Sequence, residues 1–216
     1  SGWQWKIPLQ SRVGNGLVYC SKYLKDEDAK SLLLQNIDGE ILKDPLFIKF
    51  RPGQRRKHWN KNCIAVGLSS GFIEPLESTS IHLIQRGIIR LMQMFPTSGI
   101  SDSVINEYNN QAFEEIKFIR DFIILHYKVT NRSDSEFWRY CQQMDIPETL
   151  SHKINLFKEH GYIFKAPWDL FAENSWIQVM QGQGLNNSNS HVITDMMSKQ
   201  ELDIFLNGIN ASINKT

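Results

Sequence analysis

Two glutamates, Glu74 and Glu77, bracket Pro75 and Leu76 in the run Gly71-Phe72-Ile73-Glu74-Pro75-Leu76-Glu77-Ser78-Thr79-Ser80-Ile81-His82. If Pro75 opens a helix, the two acids share one face of its first turn. The helix dipole alone favours acids there. The apolar flanks Phe72, Ile73, Leu76 and Ile81 add a second possibility. A carboxylate desolvated among them would hold its proton more tightly and could act as a proton acceptor or donor. Ser78 can cap the helix, and no Glu or Gln stands three residues later to complete a capping box. The N–H groups of Thr79, Ser80 and Ile81 would then be free to hold a halide or a phosphate without a basic side chain. An ordinary solvated cap is the alternative reading.

A chain of 216 residues with 41% apolar and 22% charged residues can bury a sizeable core, in one domain or two modest ones. The balance of 24 Lys+Arg against 23 Asp+Glu creates no strong field toward nucleic acid or an anionic membrane. Cys20, Cys63 and Cys141 are odd in number and widely spaced, which fits reduced thiols in a cytoplasm. The six histidines form no H-x-x-x-H pair, so no metal site is expected. No apolar run is long enough to span a bilayer. The first residues, Ser1-Gly2-Trp3-Gln4-Trp5, lack both Met and a signal-peptide pattern, and the chain reads as a piece of something longer.

The elements that must position Glu74 and Glu77 change character along the chain. Trp3, Trp5 and Ile7 alternate with polar residues, a strand pattern. Residues 12–21 read as two short strands around Gly14-Asn15-Gly16. Residues 26–34 read as a helix, and residues 46–50 and 62–68 as strands. From Ile81 the apolar period becomes helical, with Ile84, Ile88, Leu91, Met92 and Phe95 at helical spacing and an end before Pro96. A longer stripe follows from Val104 to Tyr127, and then helices over 135–144, 147–160, 169–181 and 198–213, with a polar loop over 185–191.

A basic cluster, Lys49, Arg51, Arg55, Arg56, Lys57, His58 and Lys61, surrounds Trp59. Charge mixed with an aromatic could bind nucleic acid, but the near-zero net charge favours a solvated hairpin. Trp3 and Trp5, two apart on one strand face, suggest cross-strand packing before a ligand wall.

Several ordered motifs are similar to those of the flavin-dependent tryptophan halogenases. Gly2 to Pro8 resembles the family's W-x-W-x-I-P signature, and Gly71 to Ser80 its E-P-L-E-S-T signature. Arg51-Pro52-Gly53 with Arg55 and Trp59, residues 62–68, and Arg120-Asp121-Phe122-Ile123-Ile124-Leu125-His126-Tyr127 resemble the family in the same order. The resemblance implies an α+β chain: the C-terminal part of a glutathione-reductase-like FAD-binding flavoprotein fold, with a sheet portion followed by a mainly helical region. Residues 1–75 would be the substrate-side sheet and the end of the FAD-binding core. Residues 76–216 would be a helical region opening with the halide-loop helix. The implied activity uses FADH2, oxygen and chloride or bromide to make hypohalous acid, which a lysine delivers to an indole or another aromatic, as in antibiotic biosynthesis. By resemblance Glu77 and Ser78 are catalytic and Thr79 and Ser80 bind the halide. Leu68 and Ile81 touch flavin, and Trp3 and Trp5 stand by the tunnel. The implied partners are a separate flavin reductase and an aromatic substrate, without nucleic acid or membrane, and a homodimer is compatible.

The chain departs from the family in three ways. The dinucleotide fingerprint and the delivering lysine, which the family carries earlier, are not in this sequence, so the segment alone is expected to be inactive. Ser80 stands where tryptophan-specific members have glycine. Residues 167–181 lack those members' aromatic, acid-rich stretch, so a larger or non-amino-acid indole fits as readily as tryptophan. An aromatic flavin monooxygenase and a non-enzymatic helical interaction module are the rival readings.

Overall fold

The Trp3–Trp5 alternation forms a strand, and its partner explains the glycines that follow. In the computed structural model, which describes residues 1–189 and 192–215, β1 (Gly2–Pro8) pairs antiparallel with β2 (Val13–Tyr19). Trp3 lies opposite Val18 and Trp5 opposite Gly16. The chain reverses where Leu9 N–H donates to the Arg12 carbonyl at 2.8 Å, not at Gly14-Asn15-Gly16 as the sequence suggests. Those glycines lie inside β2 because a side chain would not fit. A Cβ on Gly16 would come within 2.2 Å of the Trp5 indole, and one on Gly14 within 3.3 Å.

Two shorter antiparallel pairs follow: β3 (Gly53–Gln54) with β6 (Gly71–Phe72), and β4 (Trp59–Asn60) with β5 (Cys63–Ile64). The strand expected over 62–68 ends at Ile64. Gly67 takes a left-handed φ of 66°, and the Ser69 and Ser70 hydroxyls donate to the Val66 and Gly67 carbonyls, which closes a tight turn over Gly67–Ser69. Residues 46–50 form no strand either. Among the described residues they have no ladder partner, and Leu46 and Ile48 are exposed.

The helices fall largely where the apolar periods predict: α1 (Asp26–Gln35), α2 (Ser80–Gln93), α3 (Asp102–Lys128), α4 (Glu136–Gln143), α5 (Glu148–His160), α6 (Glu173–Gly182), α7 (Val192–Asp195) and α8 (Lys199–Ile213). The chain is therefore α+β. Ser190 and His191, at the end of the expected polar loop, lie outside the described residues. The main core joins α3, α5 and α6 through Phe122, Leu125, Leu150, Phe157, Trp176 and Met180. Ser198 and Glu201 form a capping box at the start of α8.

The apolar stripe of α2 is only partly a core face: Leu91 packs against the cluster around Trp59 and Tyr108. Ile81, Ile88, Met92 and Phe95 are exposed, and the helix buries Gly87 and Arg90. Arg90 turns inward because α3 supplies a partner: its Nη2 lies 2.6 Å from Glu115 Oε2, while Arg86 Nε lies 2.9 Å from Oε1. Gly87 lets α2 come close, since a Cβ there would stand 3.2 Å from Val66. Much of the apolar side of α2 is left facing outward, on the helix against which the Leu68 turn packs.

Candidate active site

Burial of Trp59 anchors the loops that lead to the site. Its indole N–H donates to the Lys61 carbonyl, and Asn109 of α3 bonds both its N–H and its carbonyl. His58 is buried beside it. The aromatic of the basic cluster is thus inside the protein, unavailable for base stacking.

Beyond β6, residues Pro75–Glu77 form a single 3-10 turn that starts at the proline. Ser78 N–H closes this turn on the Pro75 carbonyl at 3.0 Å. Ser78 then takes φ 54°, ψ 33°, a left-handed conformation uncommon outside glycine. Ser78 therefore does not cap α2 in the way the sequence suggests: it closes the Pro75 turn, and α2 begins only at Ser80. Thr79 occupies the cap position instead, buried and without a side-chain cap bond. The first α2 hydrogen bond runs from Leu83 N–H to the Thr79 carbonyl. The N–H groups of Ser80, Ile81 and His82 precede it, as at any helix start. A left-handed residue followed by right-handed ones gathers successive N–H groups toward one point, a geometry that suits an anion.

Glu77, in the 3-10 turn, meets the last turn of α3. Its Oε1 lies 2.9 Å from His126 Nε2. The other ring nitrogen, Nδ1, lies 2.8 Å from the Phe122 carbonyl oxygen. The Phe122 ring stands edge-to-face on the imidazole at 4.9 Å and fixes its plane. Glu77 is therefore partly covered and partnered, not free in solvent.

Glu74 is the more desolvated acid. Tyr127 Oη donates to its Oε1 at 2.6 Å. Burial pushes the Glu74 pKa above its ordinary value, although Tyr127, Trp3 and the charge of His126 pull the other way. Burial, reinforced by the Glu74 charge, also pushes the Tyr127 hydroxyl up. The Trp3 indole N–H is buried near both groups and lowers both pKa values, but it makes no hydrogen bond of its own. Trp3 and His126, with Arg132 and Trp138, line a cleft of about 470 Å³. That volume is within the range of small-molecule sites.

The fold thus assembles Glu77, Glu74 and Trp3, with Thr79 and Ser80 next along the chain. Trp5 instead packs over Gly14 and Gly16. Leu68 and Ile81 are 65% and 79% exposed, on the turn and the helix that pack together. His126 and Tyr127 gain their place in the site only through the fold: in the sequence they are letters of a helical motif, and nothing local shows that the end of α3 faces the Pro75 turn. Among the described residues there is no cluster of metal-ligating side chains, and no helix is long and apolar enough to cross a membrane.

The fold matches a flavin-dependent halogenase of Xanthomonas campestris with a TM-score of 0.96 and 52% identity, covering 99% of this chain and 43% of that one. It matches BrvH, a flavin-dependent halogenase from Brevundimonas, with a TM-score of 0.94 and 45% identity, covering 98% and 43%. A family model described as tryptophan halogenase matches residues 1–199, and the chain belongs to that family. A characterised relative, the 7-chloro-L-tryptophan 6-halogenase KtzR of Kutzneria, is 36% identical over 160 residues. The match covers 73% of this chain and 31% of KtzR, so the chain spans about a third of the length of such relatives.

Proposed function

We propose that this chain is the C-terminal segment of an FADH2-dependent halogenase that installs chlorine or bromine on an indole or a related electron-rich aromatic. Bound reduced FAD, with oxygen, supplies the two-electron oxidation of halide that such chemistry requires. Leu68 and Ile81 fit the edge of a flat cofactor, because both expose apolar surface beside backbone amides. The amides of Thr79 and Ser80 hold the halide there. Glu77 takes up the proton lost from the ring, and the exposed hydroxyl of Ser78 stands beside it. Trp3 limits which molecules reach the oxidant.

The observation that carries this reading is the short stretch of chain that puts a partnered carboxylate, Glu77, immediately before a left-handed residue and the free amides of a helix start. On this reading the segment supplies the sheet edge and helical part of a glutathione-reductase-like flavoprotein, with 1–75 and 76–216 as parts of one larger domain. Halogenation then requires a flavin-binding portion joined to this segment, and a separate flavin reductase. Reduced thiols at Cys20, Cys63 and Cys141 fit a cytoplasmic setting.

The test is mass spectrometry of products from an enzyme that joins this segment to a flavin-binding portion. The assay supplies FAD, a flavin reductase, oxygen, bromide and an indole. A brominated indole that disappears when bromide is omitted is the expected result. A hydroxylated product formed with or without halide contradicts the proposal and identifies a monooxygenase.

A further inference from the structure

The protons around His126 can be counted. The Phe122 carbonyl is only an acceptor, so the 2.8 Å contact at Nδ1 requires a proton on Nδ1. A neutral ring then has a bare lone pair at Nε2. A carboxylate also offers only lone pairs. The 2.9 Å contact between Nε2 and Glu77 Oε1 therefore holds one further proton, either as imidazolium with carboxylate or as imidazole with carboxylic acid. The two residues together form a one-proton store, and His126 also borders the open cleft.

We infer that His126 is a relay and positioning residue for Glu77: it receives through Nε2 the proton that Glu77 removes from the substrate and releases it into the cleft. This inference rests on the proposed role of Glu77 and adds the outlet that role needs. Once the pair has released its proton, Nε2 and the Glu77 carboxylate face each other with lone pairs only, which favours uptake of the next proton. The ring C–H bond breaks, its electron pair restores aromaticity, and the proton goes to the carboxylate. The new O–H bond then breaks as Nε2–H forms, leaving its pair on Glu77. The Nε2–H bond then breaks, its electron pair staying on the ring, as the proton passes to water entering from the cleft that His126 lines.

The charged and titratable groups around the ring support this direction. Glu77 and Glu74 approach from the Pro75 turn, and the negative charge of Glu74 attracts an imidazolium. Tyr127, the neighbour on α3, bonds Glu74 and stays neutral. From the cleft side come Arg132 and the Ser1 amine. Arg132 is paired with Asp134 at 2.8 Å, so its charge is partly offset.

The test uses an active enzyme carrying this segment and an indole deuterated at the halogenated carbon. Wild type is expected to show no isotope effect on product formation. His126→Gln can still donate to Glu77 but cannot take up a proton. It is expected to slow product formation by about 100-fold, a typical loss for one acid–base group, and to show a normal primary isotope effect. His126→Phe should do the same. A chain with neither activity nor binding in wild type would defeat the halogenase reading itself. An active wild type whose Gln and Phe variants both keep their rate without an isotope effect overturns the relay. Full recovery by Gln also overturns it, because positioning alone would then suffice. A ring-nitrogen NMR spectrum of the labelled chain gives an independent readout: protonated Nδ1 in the neutral ring is expected, and an Nε2–H tautomer contradicts the inference.

Discussion

Tyr127 Oη donates to Glu74 Oε1 at 2.6 Å and so ties the end of the long α3 helix to the turn that carries Glu77. The bond joins two parts of the chain that no local pattern connects. It also gives a partly buried acid the partner that a desolvated carboxyl needs.

Glu74 has a signed consequence for stability. Burial, the largest effect, raises its pKa in the folded chain above the ordinary value of 4.5. The native state therefore binds this proton more tightly than the unfolded chain does. Its contribution is full below the unfolded value and is lost as pH rises through the folded value. Glu74→Gln keeps an acceptor for Tyr127 and removes this loss. Urea unfolding should show the variant gaining on wild type as pH rises above 4.5. A variant that loses ground over that window contradicts the assignment.

Gly16 should tolerate no side chain. A Cβ there would lie 2.2 Å from the Trp5 indole, inside contact distance of a ring that cannot flex away. Gly16→Ala is expected to cost about 1–3 kcal/mol and to shift tryptophan fluorescence. Gly53→Ala, with nothing within 4 Å of the added carbon, serves as the neutral control. Equal effects of the two would remove the packing argument.

The Arg90–Glu115 pair is almost wholly buried, and Arg90 Nε has no partner. Arg90→Met leaves the Glu115 carboxylate with the half-exposed Arg86 alone. A loss of about 3 kcal/mol is expected. Adding Glu115→Leu should restore much of it, because no buried charge remains. Additive losses in the double variant, measured by chemical denaturation, would contradict this account.

Ser78 holds a left-handed backbone at φ 54°. Ser78→Gly relieves that strain and should raise stability by about 1 kcal/mol while leaving the amides of Thr79 and Ser80 in place. A thermal midpoint that falls in the glycine variant would show that the serine side chain holds the turn.

Much of this arrangement is legible in the sequence wherever one local period dominates. The α3 stripe, the α5 and α6 helices and the first strand follow from apolar spacing alone. The position of Pro75 and the nearness of acids to free amides are also legible. Partnerships across the fold are not. The glycines of β2 look like a turn because the indole that requires them lies on another strand. The α2 stripe is only partly a core face, and Arg90 reads as solvated until α3 brings Glu115 to it. Ser78 looks like a cap because a 3-10 turn that spends its N–H on Pro75 leaves no mark on composition. His126 has no local catalytic signature, and only the docking of α3 against the Pro75 turn reveals its contact with Glu77.

The proposed function requires the amides of Thr79 and Ser80 to hold a small anion beside Glu77. Anomalous diffraction from a bromide-soaked crystal of the flavin-loaded enzyme carrying this segment tests it most directly. The account predicts a bromide peak within hydrogen-bond reach of the Thr79 and Ser80 amides, on the side of the turn that carries Glu77. Bound flavin with bromide elsewhere in the crystal and no peak at those amides would contradict it.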